Sequence, residues 1–256
     1  MSRISVLILA KNEAHNIQEC IESCRFADEV IVIDDFSTDQ TAQIARSLGA
    51  KVIERSMNGD WGGQQTFAIE QAQCEWIFFI DADERCTPSL CDEIRQVVTS
   101  GEKYGYWVKR INHFQKQLVQ YGPLSPDWVC RLMPKQGSRV EGFVHPKIIH
   151  QHSDKKLTHT MLHYTYQTWE QYLRKMNQYS TLAAEKNYQE GKRCHVVFDI
   201  VLRPAFAFFK MYVLKKGFLD GALGYMLSKN YANYTMNKYI KLKYLQQQNS
   251  PSKHQW

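Results

Sequence analysis

The chain has no C-x-x-C pair, no G-x-G-x-x-G after its first apolar run, no internal repeat, and no stretch of about 18 uncharged apolar residues. Each absence excludes something. The seven cysteines are an odd number, scattered at 20, 24, 74, 86, 91, 130 and 194 with no C-x-x-C pair, which argues against a disulfide framework and against a zinc site and for reduced thiols in a cytosolic protein. Without the glycine-rich fingerprint a dinucleotide-dependent dehydrogenase is not expected. The missing long apolar run argues against a transmembrane helix. Nor does the amino terminus show a basic region followed by a cleavage site, so no secretory signal is expected. Acidic residues are scarce between Val201 and Lys243, where eight bases face the single acid Asp220. The net charge of +6 is therefore concentrated there, and it points to an acidic partner, either an anionic membrane surface or nucleic acid.

What the chain does have is ordinary globular content, 44% hydrophobic and 23% charged over 256 residues, enough for a large core. The first hundred residues alternate strand and helix signals. Ile4–Leu9, Val30–Ile33, Lys51–Ile53 and Trp76–Ile80 read as strands. Ala14–Cys24, Asp39–Leu48, Gly63–Gln73 and a segment opened by Pro88 read as helices. Ser37 and Gln40 stand at capping-box spacing. Repeated βα units imply right-handed crossovers and a doubly wound, mostly parallel sheet. Beyond Tyr104, Gly105–Arg110 and Val129–Met133 read as further strands, and from Thr168 the chain reads as helical and rich in Tyr, Phe and Lys. A boundary near Tyr166 separates residues 1–166 from a helical region, 167–246, and a polar tail, 247–256.

Three polar clusters fall at the carboxyl ends of predicted strands: Ala10-Lys11-Asn12-Glu13, Asp34-Asp35-Phe36-Ser37-Thr38-Asp39, and Asp81-Ala82-Asp83-Glu84. Parallel sheets place their ligand crevice at that edge. Carboxylates crowded there repel one another unless a cation joins them. Hard oxygen ligands suit Mg2+ or Mn2+, ions that share their coordination with substrate phosphates.

These clusters, in this order and spacing, resemble the family-2 glycosyltransferases of the GT-A fold. The likeness extends to the lipopolysaccharide inner-core β-1,4-glucosyltransferases that modify a heptose, through Pro126-Asp127-Trp128, Arg131-Leu132, Val144-His145, His163-Tyr164 and Tyr172–Ser180. The resemblance implies a GT-A α/β domain followed by a basic, aromatic, helical extension. It implies a hexose, glucose above all, transferred with inversion from a UDP-sugar to a lipid-linked saccharide acceptor. Residue by residue, it assigns donor binding to Ala10, Asn12, Glu13, Asp35, Asp81 and Arg131. Within that set Asp35 contacts the uracil, the Ala10 backbone seats the base, and Asp81 holds the ribose or a metal-bound water. Asp83 would hold the divalent ion, with His163 beside it or at the diphosphate. A carboxylate must take the acceptor proton; Glu141 and Asp127 are the candidates. Two positions depart from the family pattern. Pro146 stands where relatives often have an acid, and Gln65-Thr66 where they tend to carry Arg-Asn.

The carboxyl-terminal half mixes Arg203, Lys210, Lys215 and Lys216 with Phe206, Phe208, Phe209, Tyr212, Phe218 and Tyr225. That pattern fits helices lying in a membrane interface with snorkelling bases, or a packed helical subdomain with a solvated basic face. The expectation is a cytoplasmic enzyme, peripheral on the inner face of the cell membrane and without a nucleic-acid partner. A polyprenyl-phosphate glycosyltransferase and a nucleotide-sugar-binding protein that has lost catalysis are the alternatives.

Overall fold

A computed structural model describes residues 2–142 and 147–248. The pair Val144-His145 and Pro146, singled out above, lie outside the described residues. The chain forms two compact units, Met1–Ile111 with Asp127–Tyr164, and Asn112–Pro126 with Thr165–Trp256.

The first unit begins with β1 (Ile4–Ala10), α1 (Ile17–Ser23), β2 (Glu29–Asp34), α2 (Thr41–Ser47), β3 (Lys51–Glu54), α3 (Trp61–Gln71) and β4 (Trp76–Asp81). It continues with β5 (Glu84–Cys86), α4 (Pro88–Ser100) and β6 (Gly105–Phe114). The hairpin strand β7 (Gln117–Val119) belongs to the second unit, and the first resumes with β8 (Asp127–Pro134), β9 (Arg139–Glu141), β10 (Lys147–Ile149) and β11 (Asp154–Tyr166). Strand order is β3-β2-β1-β4-β8-β6-β11-β5, and β9 pairs with β10 in a small separate sheet. The first four strands are parallel; β8 runs antiparallel to β4 and β6, as β11 does to β5. The fold is α/β of the GT-A type, its parallel half built from the βα units visible in the sequence.

Successive strand residues point to opposite faces. In β1, Ile4, Val6 and Ile8 join Phe78, Ile80, α1 and α4 on one face. Leu7 joins Ile31, Ile33, Ile77, Phe79 and Ala68 of α3 on the other. With both faces covered, the central strands must be largely apolar, and they are; the one polar side chain inside β1, the buried Ser5, donates its hydroxyl to Glu29 at 2.6 Å. Register then fixes the site: Ala10 lies opposite Asp34 and Leu9 opposite Asp81, so the three polar clusters emerge at one sheet edge.

Helix α4 follows its sequence signals. Thr87 accepts from the Leu90 N–H, Pro88 occupies the first turn, and Gly101 closes the helix at φ 78°. The expected capping box at α2 does not form. Gln40 makes no side-chain cap, and the Ser37 hydroxyl donates instead to Asp34, 2.5 Å away. A short polar side chain takes the nearest strong acceptor, and here that is a carboxylate three residues back.

In the second unit, α5 (Trp169–Gln189) and α7 (Gly221–Gln248) are the long helices. Between them lie π-helical turns at Val196–Leu202 and Lys210–Leu214, a 3-10 turn at Gly217–Asp220 and α6 (Arg203–Phe209). Phe114, Val119, Tyr166 and Tyr172 form an apolar cluster with Leu223 and Leu227 of α7. Lys241 of α7 donates to the Asn177 carbonyl and to Ser180 and Thr181 of α5.

Phe78 is fully buried in the central strand. Phe78→Ala should cost about 3–5 kcal/mol, because the cavity cannot collapse between two covered sheet faces. Chemical denaturation of the two proteins measures it; a loss below about 1 kcal/mol would contradict this packing.

Candidate active site

The β1–α1 and β2–α2 loops are tied into one polar shelf. Asn12, at φ 57°, donates its backbone N–H to Ser37 Oγ at 2.8 Å, and its side-chain oxygen accepts from the Thr38 N–H at 2.8 Å. Asp39 accepts from the Ala14 N–H at 3.1 Å and the Thr41 N–H at 2.9 Å, while the Glu13 N–H donates to Thr41 Oγ1 at 2.8 Å. Asn12 and Glu13 thus set the shape of the loop, and Glu13 Oε2 accepts from Asn16 at 2.8 Å. Ala10 carries the next connection, its carbonyl accepting from the Asp35 N–H at 2.9 Å.

Asp35 is buried at the end of β2. Lys11 donates to its Oδ2 at 2.7 Å and the Met57 N–H to its Oδ1 at 2.9 Å. Burial pushes this carboxyl up; Lys11 and the Met57 N–H outweigh that and hold it below the ordinary carboxylate value. An ionised acceptor is therefore kept beside the strand end.

At the end of β4 the organising group is Glu84, which is fully buried. Its Oε2 accepts from the Asp81 N–H at 2.8 Å. Its Oε1 lies 2.7 Å from Arg131 Nη2 and 2.9 Å from Arg110 Nη1. The same Arg131 nitrogen reaches Asp81 Oδ2 at 2.5 Å, and Arg110 grips Asp127 with two bonds of 2.9 and 3.0 Å. Five charged side chains, three acids and two arginines, form a continuous network.

Desolvation pushes Asp81 up, but Arg131 and then Arg110 outweigh it, so its carboxyl sits below the ordinary value. For Glu84 the balance reverses. Burial, with Asp81 adding to it, outweighs the arginines and raises its pKa. Asp83 lies on the tight turn into β5. Its carboxylate is 3.6 Å from His163 Nε2 and its carbonyl accepts from the Tyr164 N–H at 2.8 Å.

The structure thus gathers Asp81, Asp83, Arg131, His163 and Asp127 around the β4–β5 turn, with Ala10 and Asp35 on the neighbouring strand ends. Glu141 is not part of this hydrogen-bonded network; it sits on the β9–β10 sheet, exposed and paired with Arg139 at 2.7 Å. Three contributors carried no role in the sequence reading: Glu84, Arg110 and Lys11. Glu84 and Lys11 stood inside the quoted clusters. Arg110 stood at the end of the predicted strand Gly105–Arg110, next to Lys109, with nothing local to mark it out.

Asp83 and the solvent-facing part of Asp81, whose side chain is 41% exposed, offer hard oxygens to a divalent ion. Among the described residues these acids do not form a three-ligand cage with His163. The arrangement fits an ion that takes its remaining ligands from water and phosphate, as Mg2+ habitually does.

Carboxylates gathered at the carboxyl edge of an α/β sheet suit a transferase that handles phosphate groups through a divalent ion. The comparisons agree: residues 5–181 match the family model described as glycosyl transferase family 2. A glycosyltransferase of Rickettsia bellii is 31% identical, covering 98% of this chain and 89% of its own length. The lipopolysaccharide core biosynthesis glycosyltransferase LpsC of Rhizobium meliloti is 30% identical over 82% of this chain and 80% of its own. A solved structure of glucosyl-3-phosphoglycerate synthase from Mycobacterium tuberculosis, in complex with Mn2+, UDP and glucosyl-3-phosphoglycerate, is 26% identical. It covers 44% of each chain with a TM-score of 0.37. The chain belongs to glycosyl transferase family 2 and is a glycosyltransferase.

Removing Arg131 leaves Glu84 to Arg110 alone and takes from Asp81 its 2.5 Å partner. Arg131→Met should cost up to about 3–5 kcal/mol at neutral pH, the range for breaking a buried pair, with Arg110 offsetting part of it. The sign with pH follows from the two shifts. Glu84, raised above 4.5, favours folding below that value and loses this contribution as pH rises through its folded pKa. Asp81, lowered below 3.8, contributes above that value and loses it as pH falls. In the variant Asp81 keeps only Arg110 and His163 to lower it, so its contribution shrinks, and Glu84 rises further. The difference from wild type should therefore shrink as the pH falls through 5 to 4 (roughly the carboxylate range), read by denaturation at a series of pH values. A difference that grows on acidification would contradict the network.

Proposed function

We propose that this glycosyltransferase moves a hexose, glucose above all, from a UDP-sugar to a heptose of the lipopolysaccharide inner core, with inversion and with help from a divalent metal. The observation that carries this is the convergence of Asp35, Asp81 and Asp83 at one sheet edge of a family-2 chain. The name of the Rhizobium meliloti relative supports the acceptor class.

In this reading Asp35, kept ionised by Lys11, accepts from the uracil ring, and the Ala10 backbone with the shelf formed around Asn12 and Glu13 seats the base and ribose. Asp81 holds the ribose or a metal-bound water. Its orientation is fixed by Arg131, whose second partner Glu84 prevents it from swinging away. Asp83 holds Mg2+ or Mn2+, with His163 beside it. The ion, when bound, neutralises charge on the departing diphosphate.

Glu141 takes the acceptor proton. Asp127 has both carboxylate oxygens in the Arg110 fork, whereas the Glu141 carboxylate is 57% exposed and its partner Arg139 is itself at the surface. An exposed pair of this kind is worth little and yields readily to an incoming hydroxyl.

The second unit supports a lipid-linked acceptor. Val197 is 69% exposed, Phe206 and Leu214 each 59%, and Val201 57%, on the same helical stretch that carries Arg203, Lys210, Lys215 and Lys216. Apolar side chains are normally covered, and a contiguous exposed set marks a contact surface. Bases beside it favour an anionic bilayer, at about 1 kcal/mol each. Among the described residues no helix is long and apolar enough to cross a membrane. We infer peripheral attachment to the inner face of the cell membrane.

UDP release should be measured from UDP-glucose, UDP-galactose and UDP-N-acetylglucosamine, with Mn2+ or EDTA and a heptose-terminated core as acceptor. Turnover should require metal and fall at least a hundredfold in Asp83→Ala. Glu141→Gln should lose kcat to a similar degree, whereas a normal rate in Glu141→Gln would transfer the base role to Asp127. Turnover with a polyprenyl phosphate but not with the core would favour the other acceptor class, and failure to bind UDP would sink the donor assignment.

Sedimentation with phosphatidylglycerol-rich vesicles tests the membrane contact. The wild type should bind, salt should weaken binding, and Phe206→Ser with Leu214→Ser should abolish it while leaving UDP binding intact. Equal binding by the double variant would refute this surface.

A further inference from the structure

Away from the acidic edge, three side chains of different chemistry converge on one point. Cys130 lies in β8, His150 follows β10, and Asp154 opens β11. Cys130 Sγ is 3.8 Å from His150 Nε2, that nitrogen is 3.2 Å from Asp154 Oδ1, and the ligand atoms of all three lie within 4.8 Å of one another.

These separations are those of ligands around a common cation. A tetrahedral zinc with ordinary bond lengths sets its sulfur and nitrogen ligands about 3.6 Å apart and nitrogen and oxygen about 3.4 Å apart. A nucleophilic relay would look different. There the thiol and the carboxylate address opposite ring nitrogens, so that one group orients the base for the other. Here both address Nε2, which carries at most one proton and cannot satisfy both.

The pocket is also shaped for the ring. A β-carbon on residue 105 would fall 2.1 Å from His150 Nε2, so Gly105 opens the space that the imidazole occupies. The Gly105 N–H donates to the Ser153 carbonyl at 3.0 Å, closing the 150–154 turn over it. The His150 side chain is 10% exposed, and its Nδ1 has no partner among the described residues, so packing rather than hydrogen bonding holds the ring.

We propose that Cys130, His150 and Asp154 form a second metal site, for a borderline-soft ion of the Zn2+ class, separate from the acidic donor edge. A thiolate and an imidazole disfavour Mg2+ and select Zn2+ or its surrogate Co2+. Asp154 is 57% exposed, which leaves a fourth position for water. Without a cation, burial and the nearby Asp154 push the Cys130 thiol up to about 12, so the sulfur holds its proton. An incoming cation reverses this by displacing the thiol proton to solvent and taking the thiolate as ligand. The bound ion then pins the 150–154 turn to β8.

The test uses the full chain, stripped with a chelator and titrated with Co2+. The expected result is one equivalent bound with a near-ultraviolet thiolate-to-cobalt charge-transfer band, which an all-oxygen site does not produce. Cys130→Ser should abolish the band, and His150→Gln should weaken Co2+ binding at least tenfold. Cys91→Ser, at a partly buried thiol elsewhere, should leave the band unchanged. Zn2+ should displace Co2+ and raise the melting temperature of wild type but not of Cys130→Ser, while excess Mg2+ should do neither. No band in wild type, or a band that survives Cys130→Ser, would overturn the proposal. UDP binding in the same samples tests the donor site independently.

Discussion

One buried carboxylate sets the terms for the catalytic edge. Glu84 is sealed from solvent, and a lone anion there would cost several kcal/mol. Two arginines from neighbouring antiparallel strands answer it, Arg131 from β8 and Arg110 from β6. Once in place they have charge and hydrogen-bond capacity to spare, and they spend it on Asp81 and Asp127. The second oxygen of Glu84 holds the Asp81 backbone, which fixes where β4 ends and where Asp83 begins its turn. The geometry of the acidic edge is thus inherited from a group sealed beneath it.

How much of this was readable in the chain depended on whether a signal was local. The strands β1, β2 and β4 are continuous apolar runs because both their faces are covered, and the acids at their ends declare the edge at once. Strand β5 is Glu84-Arg85-Cys86, all buried, and composition alone places such a tripeptide at the surface. Strand β11 carries Asp154, Lys155, Lys156 and two histidines, with Leu157, Met161 and Tyr166 as its buried apolar residues, so it has too little alternation to stand out. What makes both into strands is pairing with distant partners. The site divides the same way. Asp35, Asp81 and Asp83 were legible from position, while Glu84 and Arg110 acquire meaning only when residues 26 apart are brought to 2.9 Å. The capping box at Ser37 and Gln40 failed for a related reason, since Asp34 offered the Ser37 hydroxyl a stronger acceptor.

In the second unit the sequence reading favoured interfacial helices over a packed helical subdomain, and burial shows both covered and exposed apolar side chains. Phe114, Tyr166 and Tyr172 are core, sealed by edge-to-face contacts such as the 4.8 Å approach of the Tyr166 and Tyr172 rings. Val196, Val197, Phe198, Val201 and Phe206 are not. Equal hydrophobicity along the chain has thus been divided between packing and display, and hydropathy cannot register that division because it depends on which face of an irregular, partly π-helical stretch has a neighbour.

The chain passes between its two units three times, at Ile111–Asn112, Pro126–Asp127 and Tyr164–Thr165. Residues 112–126 therefore travel with the carboxyl-terminal helices although they lie far ahead of them in sequence. A truncation after Tyr166 would strip Phe114 and Val119 of Tyr172, Leu223 and Leu227 and leave a greasy hairpin behind on the remainder. The helices cannot then be exchanged between relatives as a terminal cassette. Recombination that changes them must bring the inserted hairpin along, so the two pieces are bound to be inherited together.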